Sequence, residues 1–166
     1  AEMGKYAAVS CVPRTSERDY IYITTTSRNI CGSSLLGRAG GRQYLRIKCW
    51  RPRTIQHELM HALGISHEHN RPDRDQFIVM NYQNIAPGLE PQFRRVPLSS
   101  VGLQLGYYDF ASIMHYDSRG GSRDGISLVF YKRGYTQSSG YITQSNTLSR
   151  GDHFTLWGMY GGQRPR

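Results

Sequence analysis

The stretch HELMHALGISH, residues 57–67, places three histidines and one glutamate at spacings that can meet at a single metal ion. On an α-helix, residues four apart lie one turn apart on the same face, so the imidazoles of His57 and His61 can reach a common ion. Gly64 lacks a Cβ and predicts the left-handed turn that ends the helix and brings His67 back as a third ligand. Zinc is the metal that suits these ligands.

The glutamate of this stretch, Glu58, follows the first histidine and is rotated by about 100° around the helix. Its carboxylate is therefore expected beside the ion as a base and not on it as a ligand. Three protein ligands leave one zinc position for water, as in catalytic sites, and zinc lowers the pKa of that water to about 7. The short pattern HExxH also occurs by chance on ordinary amphipathic helices, whereas the complete eleven-residue pattern is far more specific.

Three further segments extend the pattern. Residues 67–75, HEHNRPDRD, continue it with a glutamate directly after His67 and an RPDRD run, and residues 112–116, SIMHY, carry a methionine followed two positions later by a tyrosine. With these features the sequence resembles the astacins, a family of metzincin metallopeptidases. Residues 148–160 are similar to the last helix of that family, so the resemblance covers most of the chain.

The resemblance assigns roles to residues outside the zinc stretch. Met114 would pack beneath the zinc site as structural support, and Tyr116 would be a displaceable zinc ligand that also acts in catalysis. An ordinary buried tyrosine is the alternative for Tyr116, because the chain contains twelve tyrosines. Glu68 corresponds to the glutamate that contacts the N-terminus of mature family members. The remaining histidines are expected at the surface or around the zinc ligands, and they are His69, His115 and His153.

Length and composition indicate the domain organisation and the partners. The chain has 166 residues, which predicts a single catalytic domain over residues 1–166. Lysine and arginine number 21 against 12 aspartates and glutamates, a formal net charge of +9. No nucleic-acid-binding motif accompanies this charge, so a solvated basic surface is expected and no specific nucleic-acid partner. No apolar run is long enough to span a membrane, and residue 1 does not begin a signal peptide.

The fold class expected from the motifs and the resemblance is α+β. It is a two-lobed, metzincin-like zincin domain with a mixed sheet, a central zinc-binding helix and a C-terminal helix. The N-terminal lobe would cover about residues 1–67 and the C-terminal lobe about residues 68–166. In the closing helix, Ser149 is a plausible N-cap with Asp152 at the third helical position.

Three segments have the composition of β-strands. Residues 20–25, YIYITT, predict a strand that is buried on at least one face. Residues 44–48, YLRIK, alternate charged and apolar side chains, which is typical of a half-buried strand at a sheet edge. In astacins the strand after GRxGG, here residues 37–41, is the cleft-side edge on which an extended polypeptide substrate pairs. Residues 126–130 follow an Asp-Gly turn signal and also predict a strand.

The chain contains three cysteines, an odd number, so they cannot all pair within one chain. Cys31 and Cys49 flank the GRxGG loop as a disulfide-bonded pair does in astacins. The family partner of Cys11 is a cysteine that ends the last helix, and residues 161–162 are glycines here. Cys11 is therefore expected to be a free, buried thiol, and the closing helix to be held by its apolar side chains alone, which are Phe154, Leu156 and Trp157.

Taken with the resemblance, the residues predict a secreted zinc-dependent endopeptidase that hydrolyses internal peptide bonds of a polypeptide lying extended in a cleft. The cofactor is Zn²⁺, and Glu58 and Tyr116 are the candidate catalytic residues. The alternative from a different class is a zinc-stabilised binding or adhesion domain without turnover. Glu58 argues against it, because a purely structural site has no use for a base. Side-chain specificity, natural substrate and oligomeric state do not follow from the sequence.

Overall fold

The computed structural model describes residues 3–5, 7–97 and 105–165, and within them the fold combines two small sheets with two α-helices. The five strands, in chain order, are β1 (Tyr20–Thr25), β2 (Gly32–Ser33), β3 (Arg42–Ile47), β4 (Ile78–Met80) and β5 (Phe130–Lys132). The two α-helices are α1 (Pro52–Ala62) and α2 (Arg150–Tyr160). Short 3₁₀ helices cover Met3–Lys5, Glu68–Asn70, Arg74–Gln76, Tyr82–Asn84 and Glu90–Phe93. The predicted α+β class is confirmed, and the division into lobes near residue 67 stays a prediction.

The larger sheet has the strand order β1-β3-β2 and is mixed, as predicted. β1 runs parallel to β3, and the two residues of β2 pair with β3 in the antiparallel direction. The prediction of β3 as a sheet edge is wrong, because β3 lies between the other two strands. Its alternation does reflect a half-buried strand, since Leu45 and Ile47 are fully buried while Arg46 is not. β2 contains only a glycine and a serine, which carry no strand signal.

The strand β1 is exposed, contrary to the prediction that it is buried on at least one face. Ile21, Tyr22 and Ile23 retain 41%, 45% and 48% of their accessible surface. β1 is the outer strand of its sheet, and its strand partner among the described residues is β3 alone. Its β-branched and aromatic composition therefore predicts the strand itself and does not predict a neighbour that covers it.

The second sheet pairs β4 with β5 in the antiparallel direction. The predicted strand at residues 126–130 overlaps the observed one only at Phe130, and Ile126 is 72% exposed. Asp124 explains the shift, because its side chain accepts the backbone N–H groups of Ile126 and Ser127. The turn that starts at Asp124 therefore uses up donors that a strand would need.

Two buried clusters form the core of the described chain. The first contains Met60 of α1, Leu156 of α2, and Ile65, Ile113 and Met114 from the segments between the helices. The second lies around β4 and β5, and the partly buried Tyr116 is one of the residues that pack against it. The zinc helix α1, the turn at residues 112–116 that contains Met114 (the methionine turn) and the closing helix α2 therefore share one core, so the positions of their side chains depend on each other.

The closing helix α2 begins with the predicted capping box. Ser149 Oγ accepts the N–H of Asp152, and the Asp152 carboxylate accepts the N–H of Ser149. The expectation that apolar side chains alone hold α2 is wrong. Asp152 is fully buried and also accepts the hydroxyl of Ser112 at 2.6 Å and the N–H of Ile113 at 2.9 Å, which ties α2 to the methionine turn.

The cysteines follow the predicted pairing with one correction. Cys31 and Cys49 form the expected disulfide, and Cys11 is free. Cys11 is exposed, however, and not buried as predicted. The sequence around it, SCVPR, leaves the chain without regular secondary structure at this point, so no element buries the thiol.

Thiol labelling provides a test of this arrangement. A thiol reagent added to the native, unreduced protein is expected to modify Cys11 rapidly, because access and not unfolding limits the reaction of an exposed thiol. Peptide mapping after labelling identifies the modified residue. Labelling that requires denaturant would contradict the exposure of Cys11, and label on Cys31 or Cys49 would contradict the disulfide.

Candidate active site

The helix α1 positions the first two histidines of the site. It begins at Pro52, whose fixed φ suits the first helical position. The helix brings His57 and His61 one turn apart on one face. Gly64 follows with a φ of +91°, and its N–H donates to the carbonyl of His61 at 2.8 Å. The predicted left-handed turn is present, and it returns the chain so that His67 faces the two helical histidines.

Three imidazole nitrogens converge at one point. His67 Nε2 lies 3.1 Å from Nε2 of His57 and 3.1 Å from Nε2 of His61. The ligand atoms of the three residues all lie within 4.8 Å of one another. Nitrogens about 2.0–2.1 Å from a zinc ion at tetrahedral angles stand about 3.3 Å apart, so the spacing fits zinc. Among the histidine, cysteine, aspartate and glutamate side chains of the described residues, these three form the group that could hold a metal ion.

The outer nitrogens of the helical histidines fix their tautomers. His57 Nδ1 donates to the carbonyl of Ile113 and His61 Nδ1 donates to the carbonyl of Ile65, each at 2.9 Å. Each Nε2 therefore presents a lone pair to the shared point. Burial lowers the pKa of His57, and burial together with His57 lowers the pKa of His61 to about 3. Both rings are neutral at physiological pH, which is the form that binds metal.

Glu58 lies beside the histidines and lines the same cleft, which has a volume of about 580 Å³. The residue is only 5% exposed, and burial raises the pKa of its carboxyl group to about 7, although the Ser34 N–H that bonds to it acts in the opposite direction. Its Oε2 atom has no hydrogen-bond partner among the described residues. A carboxyl group with a pKa near neutrality and an unpaired oxygen can exchange protons with a molecule in the cleft.

Tyr116 reaches the same cleft from the methionine turn. Its ring packs against the ring of His67 with centroids 4.5 Å apart, and its hydroxyl donates to Gln92 Oε1 at 3.2 Å. Burial and the nearby Glu58 carboxylate raise the pKa of Tyr116 to about 12. The hydroxyl therefore stays protonated and can act as a hydrogen-bond donor. Nothing in the sequence signals Gln92 as its partner, because Gln92 lies 24 positions earlier in the 3₁₀ helix Glu90–Phe93.

The methionine turn supports the site through its backbone. Met114 is fully buried in the first core cluster, and the carbonyl of Ile113 holds His57. The N–H of that same Ile113 donates to Asp152 of α2. Asp152 therefore fixes the turn that orients a zinc-binding side chain, in addition to capping its own helix. The capping pattern predicts only the second of these roles.

The three other histidines are buried, so of the two expected locations the surface does not apply, whereas His69 lies against a zinc-binding histidine as the other expects. His69 and His115 are fully buried and His153 is 8% exposed. The His69 ring stacks on the ring of His67 with centroids 5.1 Å apart and an angle of 18° between the planes. His115 is held by the carbonyl of Tyr116 and the hydroxyl of Tyr108. None of the three belongs to the metal-binding group of the described chain, as predicted.

Glu68 is fully buried directly after the third zinc ligand. Its Oε1 accepts the N–H of Asp109 at 2.7 Å and lies 3.4 Å from Arg71 Nη1. Burial raises the pKa of Glu68 to about 8, against the effects of the Asp109 N–H and of Arg71. The expected contact between Glu68 and the N-terminus involves residues 1–2, which lie outside the described residues.

The family model named Astacin, which describes a family of peptidases, matches residues 1–161. The chain belongs to the astacin family. It is 42% identical over 138 residues to zinc metalloproteinase nas-14 of Caenorhabditis elegans, covering 77% of this chain and 27% of that protein. It is 38% identical over 147 residues to high choriolytic enzyme 2 of Oryzias latipes, covering 85% of this astacin and 49% of that protein.

A solved structure supports the same assignment. High choriolytic enzyme 1 of Oryzias latipes, a hatching enzyme zinc-protease, matches this astacin with a TM-score of 0.84 at 32% identity. The match covers 98% of this chain and 78% of that chain. The chain spans less than half the length of these two relatives, 27% of nas-14 and 49% of high choriolytic enzyme 2. The family and the three-histidine group together make Zn²⁺ the cofactor of this astacin.

Proposed function

We propose that this astacin is a zinc-dependent endopeptidase. The observation that carries the proposal is the unpaired, buried carboxylate oxygen of Glu58 beside three converging imidazole nitrogens. A zinc-stabilised binding domain would need the histidines alone. A carboxyl group whose pKa burial raises to about 7, next to these nitrogens, suits a proton-transfer role near neutral pH.

The residues of the cleft divide the work of peptide hydrolysis. When bound, zinc polarises a carbonyl group and lowers the pKa of water. His57, His61 and His67 hold the ion through Nε2. Glu58 takes the proton of the attacking water and later delivers a proton to the leaving amine. Tyr116 donates its hydroxyl hydrogen bond to the negative charge that develops on the carbonyl oxygen, exchanging Gln92 for the substrate.

The substrate is a polypeptide that lies extended along the cleft. Residues 30–34 line one wall, and this wall includes β2, which ends the sheet order and leaves one strand edge without a strand partner in the described chain. An extended peptide can add to such an edge through backbone hydrogen bonds. The substrate-binding edge is therefore β2, and β3 contributes no residue to the cleft lining. Arg53 also lines the cleft.

We infer that the protein acts outside the cell. The Cys31–Cys49 disulfide is the type of bond that oxidising compartments maintain. No helix in the described part of the chain has the length and apolar composition needed to cross a membrane.

A mixed peptide library tests the proposed function. The zinc-loaded protein is expected to cleave internal bonds, and mass spectrometry of the products identifies the cut positions. Binding of peptides with zinc present and without any cleavage would instead support the binding-domain alternative.

Replacing Tyr116 by phenylalanine is expected to lower kcat by about 10²–10³-fold, with zinc content and KM little changed, because one oxyanion donor is lost. Steady-state kinetics and metal analysis measure these effects. Tyr135→Phe is the matched control, because Tyr135 is 59% exposed and lies outside the cleft lining. An unchanged kcat in Tyr116→Phe would return Tyr116 to a packing role.

A further inference from the structure

Gly32 of β2 lies so close to Glu58 that a side chain at position 32 would fit only if the Glu58 side chain moved. A Cβ added to Gly32 would lie 2.7 Å from Oε1, 2.8 Å from Cγ and 3.0 Å from Cδ of Glu58. Ordinary van der Waals contacts of a Cβ are 3.4–4 Å. The three nearest heavy atoms all belong to Glu58, so the carboxylate occupies the space that a side chain at position 32 would need.

The backbone of Gly32 does not itself require glycine. The φ angle of Gly32 is not positive, so alanine can adopt the same backbone conformation. The obstacle to a larger residue is therefore the Glu58 side chain. This separates Gly32 from Gly64, whose φ of +91° requires glycine for the turn before the third zinc ligand.

The wall that carries Gly32 is fixed to the sheet. The preceding residue, Cys31, forms the disulfide with Cys49, and its carbonyl accepts the N–H groups of Lys48 and Cys49 at 2.8 and 3.0 Å. Gly32 itself pairs with Ile47 of β3. Since this wall cannot retreat cheaply, a side chain at position 32 would move the flexible Glu58 side chain.

The same wall also binds the carboxylate. The backbone of Ser34 favours the ionised form of Glu58 and lowers the pKa of its carboxyl group, while Glu58 Oε2 has no partner in the described chain. The segment from Gly32 to Ser34 thus bounds the Oε1 side of the carboxylate, and the other oxygen stays buried without a partner in the described chain.

We propose that Gly32 is a positioning residue for the catalytic base, and that its missing side chain sets where the Glu58 carboxylate lies relative to the three histidines. This inference rests on the proposed role of Glu58 as the base. It predicts that a methyl group at position 32 impairs catalysis more than folding, because the displaced atoms are the end of a flexible side chain.

The test begins with Gly32→Ala in the zinc-loaded protein. We expect kcat to fall by about 10²-fold, as for a base misplaced by about 1 Å, with KM, zinc content and melting temperature little changed. A crystal structure of the variant should show the Glu58 carboxylate displaced. Leu35→Ala is the control on the same segment, since Leu35 is 56% exposed and lies outside the cleft lining, and it should retain the parent kcat.

A double-mutant cycle with Glu58→Ala separates positioning from a general structural role. In the Glu58→Ala background the space beside Gly32 is open, so Gly32→Ala should cause no further loss of the residual rate. An equal loss in both backgrounds would overturn the proposal. If Gly32→Ala alone fails to fold, the double variant should fold, and a double variant that also fails would contradict the role assigned to Gly32.

The two proposals fail in different ways. Parent-like kcat in Gly32→Ala together with an inactive Glu58→Ala would refute the role of Gly32 and leave the endopeptidase function intact. Parent-like kcat in Glu58→Ala would refute the proposed function itself.

Discussion

Replacing Glu58 by alanine is expected to lower kcat by about 10²–10⁴-fold while near-stoichiometric zinc is retained. The carboxylate lies outside the three-histidine group, so its loss removes a proton acceptor and no metal ligand. Its Oε2 atom has no partner within the described chain, and therefore the substitution also leaves no broken hydrogen bond at that oxygen. Single-turnover kinetics at high enzyme concentration, combined with metal analysis, measure the two quantities separately.

Two further variants make this result specific. Glu58→Gln keeps the shape of the side chain and the contact with Gly32 but cannot accept the proton, so it should be nearly as slow as Glu58→Ala. Glu17→Gln removes a fully exposed carboxylate elsewhere in the chain and should behave like the parent. A parent-like rate in Glu58→Gln would show that the proposed mechanism is wrong, and loss of zinc from it would assign Glu58 to metal binding instead.

The metal centre could be predicted because its geometry is local in the sequence. The spacing of four residues between His57 and His61 defines one helix face, and Gly64 marks the reversal that brings back His67. All of these residues lie within one stretch of eleven positions, so a helix and one glycine turn are enough to bring the nitrogens together.

The environment of the base could not be predicted in this way. Glu58 contacts Gly32, which lies 26 positions earlier in a strand of two residues that has no periodicity. Because the sequence gives no sign of β2, the alternating pattern of β3 suggests a sheet edge, whereas β3 lies between β1 and β2. Likewise, Asp152 serves both its own helix cap and the methionine turn, and only the cap is visible as a sequence pattern.

The zinc stretch predicts ligands, whereas the burial of their surroundings depends on tertiary packing. His69 and His115 belong to a residue type of intermediate burial, so the sequence leaves open whether they lie at the surface or around the zinc ligands. In the structure, rings from several segments enclose both, including Phe130 of β5. The reverse holds for β1, the outer strand of its sheet, where the apolar side chains of Ile21, Tyr22 and Ile23 stay 41–48% exposed.

Removing zinc is expected to abolish cleavage completely and to lower the melting temperature of the protein. Nδ1 of both His57 and His61 donates to a backbone carbonyl, so in the neutral rings both Nε2 atoms are acceptors. They lie 3.1 Å from His67 Nε2, which has at most one proton to donate. His57, His61 and His67 are half-buried and line the cleft, so without metal at least one acceptor turns to water, and the folded state loses the stabilisation that zinc binding provides.

Chelator followed by added zinc tests this prediction by activity and by thermal unfolding. Zinc should restore cleavage and raise the melting temperature, and at 100 times its Kd it should stabilise the fold by about 2.7 kcal/mol. In His61→Ala, zinc affinity should fall and the thermal shift should be largely lost. His153→Gln changes a buried histidine outside the metal-binding group and should keep the shift, even if its own stability is lower. Because His61 is one of the three converging histidines, an equal zinc-induced shift in His61→Ala would place the metal at other residues.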